Sequence, residues 1–268
     1  MSVLKNRTSI DPAIAGKPLE GRAGIVTGGS SGIGRATVIA MVEAGARVIV
    51  ADIDETGGRE TVALAGGDVS ACFVQTDVTD PSSVENMVRK TLDRFGQLDF
   101  AHNNAGIEFV GSLLGDVPLK EWQKVLDVNL TGVFNCMRAE IPHMIGSGGS
   151  IVNTASGLGL VAIPNHSPYV AAKHGLIGLT RAAAIEYAAK GIRVNCICPG
   201  AILTHLLEEV FVAEPNLRAA VERSNPAKRL GLPEEIAAAV IWLCSEASAY
   251  VNGHPLVIDG GHLASGAV

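Results

Sequence analysis

The sequence predicts an α/β protein built on a doubly wound, seven-stranded parallel sheet with helices on both faces, and three observations carry that expectation. Short β-branched runs alternate with helix-length amphipathic stretches from Ala23 onward. Each run closes on a polar or glycine-rich cluster, as strands do where an open parallel sheet turns its carboxyl ends toward a ligand. The chain is 47% hydrophobic but only 4% aromatic. Its core must therefore be assembled from Ala, Val, Ile, Leu and Gly, which suits helices packed closely on a parallel sheet.

Taken in order, the strand candidates are AGIVTG, RVIVADI, ACFVQTDV, LDFAHNNAG, GSIVNTAS, RVNCICPG and HPLVIDGG. Right-handed crossovers between them place helices on both faces. Residues 1–20 carry mixed charge and no periodicity, and read as a loosely held arm. Residues 21–268 form one domain, since no repeat, low-complexity tract or Pro/Ser-rich linker divides them. A chain of this length can bury about 75% of its unfolded surface in one core. The segment 204–230, THLLEEVFVAEPNLRAAVERSNPAKRL, is too long for a tight connection and predicts one or two short helices covering a substrate.

Charge and composition exclude several classes. The formal net charge is −6 and no Lys/Arg run exceeds two residues, so the electrostatic footprint of a nucleic-acid or anionic-membrane binder is missing. No apolar run approaches the length of a membrane span, and the first residues lack the apolar stretch of a signal peptide, so the expected location is cytoplasmic. Cys72, Cys136, Cys196, Cys198 and Cys244 are odd in number and form no C-x-x-C, and read as buried small hydrophobes in a reducing compartment. The histidines form no H-E-x-x-H pair, and no metal site is expected.

The stretch TGGSSGIG, Thr27 to Gly34, follows the first strand and opens a helix. Its glycines remove Cβ atoms where backbone must approach a pyrophosphate at a helix N-terminus, which makes Gly28, Ser30, Ser31, Gly32, Ile33 and Gly34 candidate cofactor contacts. The G-x3-G-x-G spacing alone also fits a glycine-rich turn. Asp52 supplies context: it stands eighteen residues after Gly34, at the end of the second strand, where a carboxylate hydrogen-bonds ribose hydroxyls and repels a 2′-phosphate. Asp54 and Glu55 show that acidic residues are common here, so position rather than type selects Asp52. Neither Ser31 nor Ile53 is basic, although Arg35 and Arg59 lie nearby, and the cofactor expected of this Rossmann-type sheet is NAD.

Tyr169 and Lys173 stand four residues apart on a predicted helix starting near Ser167, on one face about a turn apart. Alcohol oxidation near neutrality needs a phenolate, whereas free tyrosine titrates at about 10. A lysine ammonium about 4 Å away, at an effective dielectric of about 20, is worth roughly 4 kcal/mol or about three pK units, enough to close that gap. Such a pair also occurs by chance. Ser156, thirteen residues before Tyr169, either shares charge on a substrate oxygen or merely caps its strand.

With TGGSSGIG, NNAG (Asn103 to Gly106), Ser156, Tyr169-x3-Lys173 and CPG (Cys198 to Gly200) in this order, the chain resembles the short-chain dehydrogenase/reductase family over residues 20 to 262. The resemblance implies that Asn129, otherwise an ordinary helix asparagine, completes the catalytic set by holding a water that relays the proton from Lys173. It further implies that Asp77 and Val78 contact adenine, that Asn104 lines the adenosine ribose, and that Ile202 and Thr204 meet the nicotinamide carboxamide. Lys173 would also hold the nicotinamide ribose, with Tyr169 beside it, and the assembly would be a homotetramer. His166 lies within reach of the substrate or is solvated. Phe109, Leu158, Val161 and Phe211 are candidates for the substrate wall or for ordinary core. The expected activity is NAD-dependent interconversion of a secondary alcohol, such as a cyclic alcohol or diol, with its ketone. The alternatives are a 3-ketoacyl thioester reductase and a non-catalytic nucleotide sensor.

Overall fold

The computed structural model describes residues 16–109, 111–204, 207, 211 and 215–266. The strands are β1 (Ala23–Thr27), β2 (Arg47–Asp52), β3 (Ala71–Gln75), β4 (Phe100–Asn103), β5 (Gly149–Thr154), β6 (Ile192–Pro199) and β7 (Pro255–Ile258). They form one sheet in the order β3-β2-β1-β4-β5-β6-β7, with every pairing parallel. The helices are α1 (Gly32–Glu43), α2 (Glu55–Leu64), α3 (Pro81–Phe95), α4 (Leu119–Leu126), α5 (Gly132–Met144), α6 (Ser167–Tyr187), α7 (Pro215–Ser224) and α8 (Pro233–Cys244).

Two-sided burial explains why the strands read as continuous apolar runs. Ile25, Ile49 and Ile151 face the cluster built with α3, α5 and α6. Their neighbours Val26, Val50 and Val152 face the cluster built with α1 and α8. The alternation follows from the strand's period of two, and every one of these six side chains is removed from water. Local signals set helix ends in the same way. Asp80 accepts a hydrogen bond from the Ser82 N–H at 2.9 Å, Pro81 opens α3, and Gly96 ends it with φ +75.

The loosely held arm is shorter than the sequence implies. Leu19 is fully buried in the α1 cluster and its N–H bonds the Ala44 carbonyl at 3.0 Å, because its side chain adds apolar surface to that core. Residues 1–15 lie outside the described residues. In the expected cap, α7 is the described helix, and 205, 206, 208–210 and 212–214 lie outside them. Four cysteines are buried and Cys72 is half-buried.

One buried polar network ties β4 and β5 to α5 and α6. The Asn103 amide donates to Glu140 at 3.1 Å and to Asn153 at 3.2 Å, and Asn153 donates to Thr180 at 3.0 Å. Glu140 Oε1 and Asn103 Oδ1 have no hydrogen-bond partner. Burial pushes the Glu140 carboxyl up to about 7, against the opposing effect of the Asn103 amide. A carboxyl raised in the folded state holds a proton that the unfolded chain releases. Its penalty is absent below the ordinary carboxylate range, grows as pH rises, and is complete above about 7. Glu140→Gln keeps the acceptor and cannot ionise. In urea unfolding it should match the parent protein near pH 5 and exceed it by about 2 to 3 kcal/mol near pH 8. An equal difference at both pH values would remove ionisation of Glu140 as the cause.

Candidate active site

The strand order reverses between β1 and β4, and the crevice beyond their carboxyl ends is where a doubly wound sheet binds its ligand. Hydrogen bonds stitch the two strand ends together. Thr27 Oγ1 accepts from the Asn104 N–H at 2.9 Å and from the Ala105 N–H at 3.1 Å. The Thr154 hydroxyl donates to Asn104 Oδ1 at 3.1 Å, so it receives the proton of His102 Nε2, 2.9 Å away. Burial drops the His102 pKa to about 3 and keeps that ring neutral.

Above this seam lies the glycine-rich loop. A Cβ on Gly34 would sit 1.9 Å from the Gly28 carbonyl oxygen, so α1 starts directly against the loop. Ser31 precedes α1 without a side-chain cap, which leaves the first helical N–H groups available to an anion. Asp52 accepts from the Ser30 N–H and the Asp54 N–H, both at 3.0 Å, and keeps further lone pairs for ribose hydroxyls. The nearby guanidiniums are engaged elsewhere. Arg35 bonds the Ser30 carbonyl and Glu60, both within 2.7 Å, while Arg59 pairs with Glu55 and lies over Phe73. Asp77 accepts from the Thr79 N–H and hydroxyl, and the buried Val78 accepts from Asn135.

A cleft of about 390 Å³ joins these groups. Gly28, Ser30, Ser31, Gly32, Ile33, Asp52, Asp77, Val78, Asn104 and Thr204 line one part, and Asn129, Tyr169 and Lys173 line the other. Three sequence candidates do not line it. Gly34 is packed beneath the loop. Ile202 turns its side chain into the α1 cluster. Ser156 caps the short turn after β5.

Tyr169 occupies the first turn of α6 and is 8% exposed, and Lys173, one turn on, is 3% exposed. The Lys173 ammonium donates to the Thr154 carbonyl at 2.8 Å and lies 5.4 Å from the centre of the Tyr169 ring. Burial pulls the Lys173 pKa down to about 8, while the Glu108 carboxylate resists that fall. Ser156 accepts from the Leu158 N–H at 3.1 Å, capping a short turn, and its own hydroxyl proton remains free to be donated. The capping reading of this serine therefore holds, and it leaves the hydroxyl proton available.

Two expectations need correction. Lys173 was expected to depress the Tyr169 pKa, yet in the free protein that hydroxyl is pushed upward. Burial is the larger cause and Glu108 adds to it, against a smaller opposing effect of Ser156. Asn129 is not in an ordinary helix. It sits in a π-turn, Asp127–Thr131, between α4 and α5, and its side chain is committed: Oδ1 accepts from the Ile107 N–H at 3.1 Å and Nδ2 donates to the Ile107 carbonyl at 2.8 Å.

The residue that sequence reasoning missed is Glu108. It lines the cleft beside Ile107 and Tyr169, and its pKa is raised by burial despite the lowering effects of Lys173, His166 and Tyr169. Its position two residues beyond NNAG was the available signal. Phe109 and Leu158 pack around Tyr169, Phe211 is buried and Val161 is partly exposed.

Fold and site together define an oxidoreductase with a dinucleotide crevice and a tyrosine–lysine pair. The family model described as Enoyl-(Acyl carrier protein) reductase matches residues 28–262. The chain is 44% identical to 2,5-dichloro-2,5-cyclohexadiene-1,4-diol dehydrogenase of Sphingobium indicum, covering 92% of this chain and 98% of that one. It is 40% identical to cyclohexanol dehydrogenase of Acinetobacter sp., covering 90% and 94%. The crystal structure of levodione reductase is similar, with a TM-score of 0.88, 38% identity and coverage of 92% and 99%. The chain belongs to the short-chain dehydrogenase/reductase family, whose members use NAD(P) and act on CH–OH groups or the corresponding ketones. Among the described residues no helix is long and apolar enough to cross a membrane.

The seam at Thr27 is open to a direct test. Thr27→Val is nearly isosteric and strands the N–H groups of Asn104 and Ala105. Urea unfolding should show a loss of about 2 to 6 kcal/mol, from about 1 to 3 kcal/mol for each of the two unsatisfied donors. A loss below about 0.5 kcal/mol would mean that the seam adds little to stability.

Proposed function

We propose that this protein is an NAD-dependent dehydrogenase interconverting a cyclic secondary alcohol or diol with its ketone. The observation that carries the reading is the union in one cleft of Asp52 at the nucleotide end with Tyr169 and a buried Lys173 at the other. Support for a ring substrate comes from relatives named for a cyclohexadiene diol, cyclohexanol and cis-4-hydroxycyclohexanecarboxylate.

In this reading Gly28, Ser30, Ser31, Gly32 and Ile33 hold the pyrophosphate, Gly34 lets α1 start directly against them, and Asp52 holds the adenosine ribose. Asp77, Val78 and Asn104 flank the adenosine, and the segment of Ile202 and Thr204 meets the nicotinamide end. Bound NAD supplies the hydride acceptor and one positive charge. In the reducing direction the protonated Tyr169 gives its phenol proton to the ketone oxygen; in oxidation it first releases that proton toward Lys173 and then takes the alcohol proton, while Ser156 donates a hydrogen bond to the substrate oxygen. Lys173 stays mostly charged near neutrality, holds the nicotinamide ribose and passes the proton on. Because the Asn129 side chain is engaged with Ile107, its part in the relay falls to the backbone of the π-turn.

The test is NADH formation with cyclohexanol and cyclohexanediols, with NADP run in parallel. Turnover with NAD is expected, whereas turnover confined to NADPH and a 3-ketoacyl thioester would replace this reading with the thioester reductase. Tyr169→Phe should bind NADH normally and lose kcat by about a thousandfold or more, because the phenol is the group that exchanges a proton with the substrate oxygen. Retained turnover would refute the assignment. Asp52→Ala should shift the NAD over NADP preference in kcat/KM by about ten- to a hundredfold toward NADP, or roughly 1.4 to 2.7 kcal/mol. An unchanged ratio would place the choice of cofactor elsewhere.

A further inference from the structure

We propose that Glu108 is a substrate-positioning residue that accepts a hydrogen bond from a second hydroxyl, so that the preferred substrate is a neutral diol. The inference rests on the alcohol dehydrogenase reading of the cleft and narrows its substrate class.

Geometry comes first. Asn129 grips both the N–H and the carbonyl of Ile107, at 3.1 and 2.8 Å, which fixes the backbone from which Glu108 projects. Glu108 lines the same cleft as Tyr169 and Lys173, and its surface stays open to the space a substrate fills. Glu108 and Ser156 both lie near enough to the Tyr169 hydroxyl to bear on its ionisation, in opposite directions. Among the described residues Glu108 makes no ion pair, and Lys173, His166 and Tyr169 are the neighbours that influence its carboxyl.

Chemistry then dictates what must happen when substrate arrives. A carboxylate only accepts, and one that loses its donor in a partly desolvated site becomes unfavourable. A substrate alcohol that engages Tyr169 fills the cleft that Glu108 also lines and displaces the water that serves its carboxyl. The carboxyl then needs a new donor at the same end of the cleft, and a second hydroxyl on the substrate supplies one. Phe109 and Leu158, packed around Tyr169, set an apolar surface beside these polar groups, which suits a carbon ring carrying oxygen at two positions. His166 does not supply the missing donor while neutral. Its Nδ1 donates to the Pro164 carbonyl at 2.8 Å, which leaves Nε2 as an acceptor. A substrate carboxylate would meet the charge of Glu108 and be disfavoured.

The experiment compares cyclohexanediols with cyclohexanol in the parent enzyme, Glu108→Ala and Glu108→Gln. The parent should prefer a diol by about tenfold in kcat/KM, the worth of one net hydrogen bond. Glu108→Ala should erase that preference, mainly through KM. Glu108→Gln should keep part of it, because the amide oxygen still accepts, and should improve relative turnover of cis-4-hydroxycyclohexanecarboxylate. A second readout needs no turnover: quenching of bound NADH fluorescence as a diol binds the enzyme–NADH complex. Failure to oxidise either alcohol would sink the dehydrogenase reading alone. A diol that binds or reacts with the parent no better than with Glu108→Ala would overturn the role of Glu108.

Discussion

The site is organised around a charge that water cannot reach. Lys173 is 3% exposed, and an ammonium so placed loses several kcal/mol of hydration unless fixed acceptors replace it. The Thr154 carbonyl, at 2.8 Å, is free to serve because β5 ends there and the ladder no longer claims it. Such a hydrogen bond to a charged group is worth about 1.5 to 3 kcal/mol, so part of the loss remains and appears as the fall of the lysine pKa to about 8. The space around the ammonium is equally constrained. A Cβ on Gly106 would come within 3.6 Å of Nζ and 2.7 Å of Asn129 Oδ1, which is why the turn after β4 carries glycine there.

The same seam explains the doubled asparagine after β4. Successive residues of a strand point to opposite sides, so Asn103 faces inward to Glu140 and Asn153 while Asn104 reaches toward Thr154 and Gly28. One belongs to the network that locks α5 onto the sheet, the other to the crevice. His102, neutral and buried, closes the arrangement from behind by donating to Thr154. The motif is thus one device with two separate duties.

What the sequence made legible follows from local physics. Strands buried on both faces must be apolar throughout, so their limits were readable to within a few residues, and Asp52 was readable because a strand end fixes its place. The π-turn holding Asn129 was not, since no residue type encodes one extra residue per turn and the cause lies in the distant backbone of Ile107. Leu19 was hidden for a similar reason: its burial depends on the corner between α1 and β2, which no local pattern announces. Glu108 escaped notice because its neighbours on the chain are unremarkable, and its meaning comes from Tyr169, sixty-one residues later.

The electrostatics of Tyr169 show why proximity to a lysine is not enough. An i, i+4 pair places two side chains on one face, but burial acts on the phenol whether or not a pair forms, and here it is the largest influence. Glu108 divides the influence of Lys173 further, since the ammonium stabilises the carboxylate as well as any phenolate. In the free protein the proton therefore stays on the phenol. Any added positive charge in the cleft favours both anions, but it favours the phenolate only after the tyrosine proton has somewhere to go. The carboxyl that opposes tyrosine ionisation lines the same cleft as the phenol, so what occupies that cleft decides which way the balance moves.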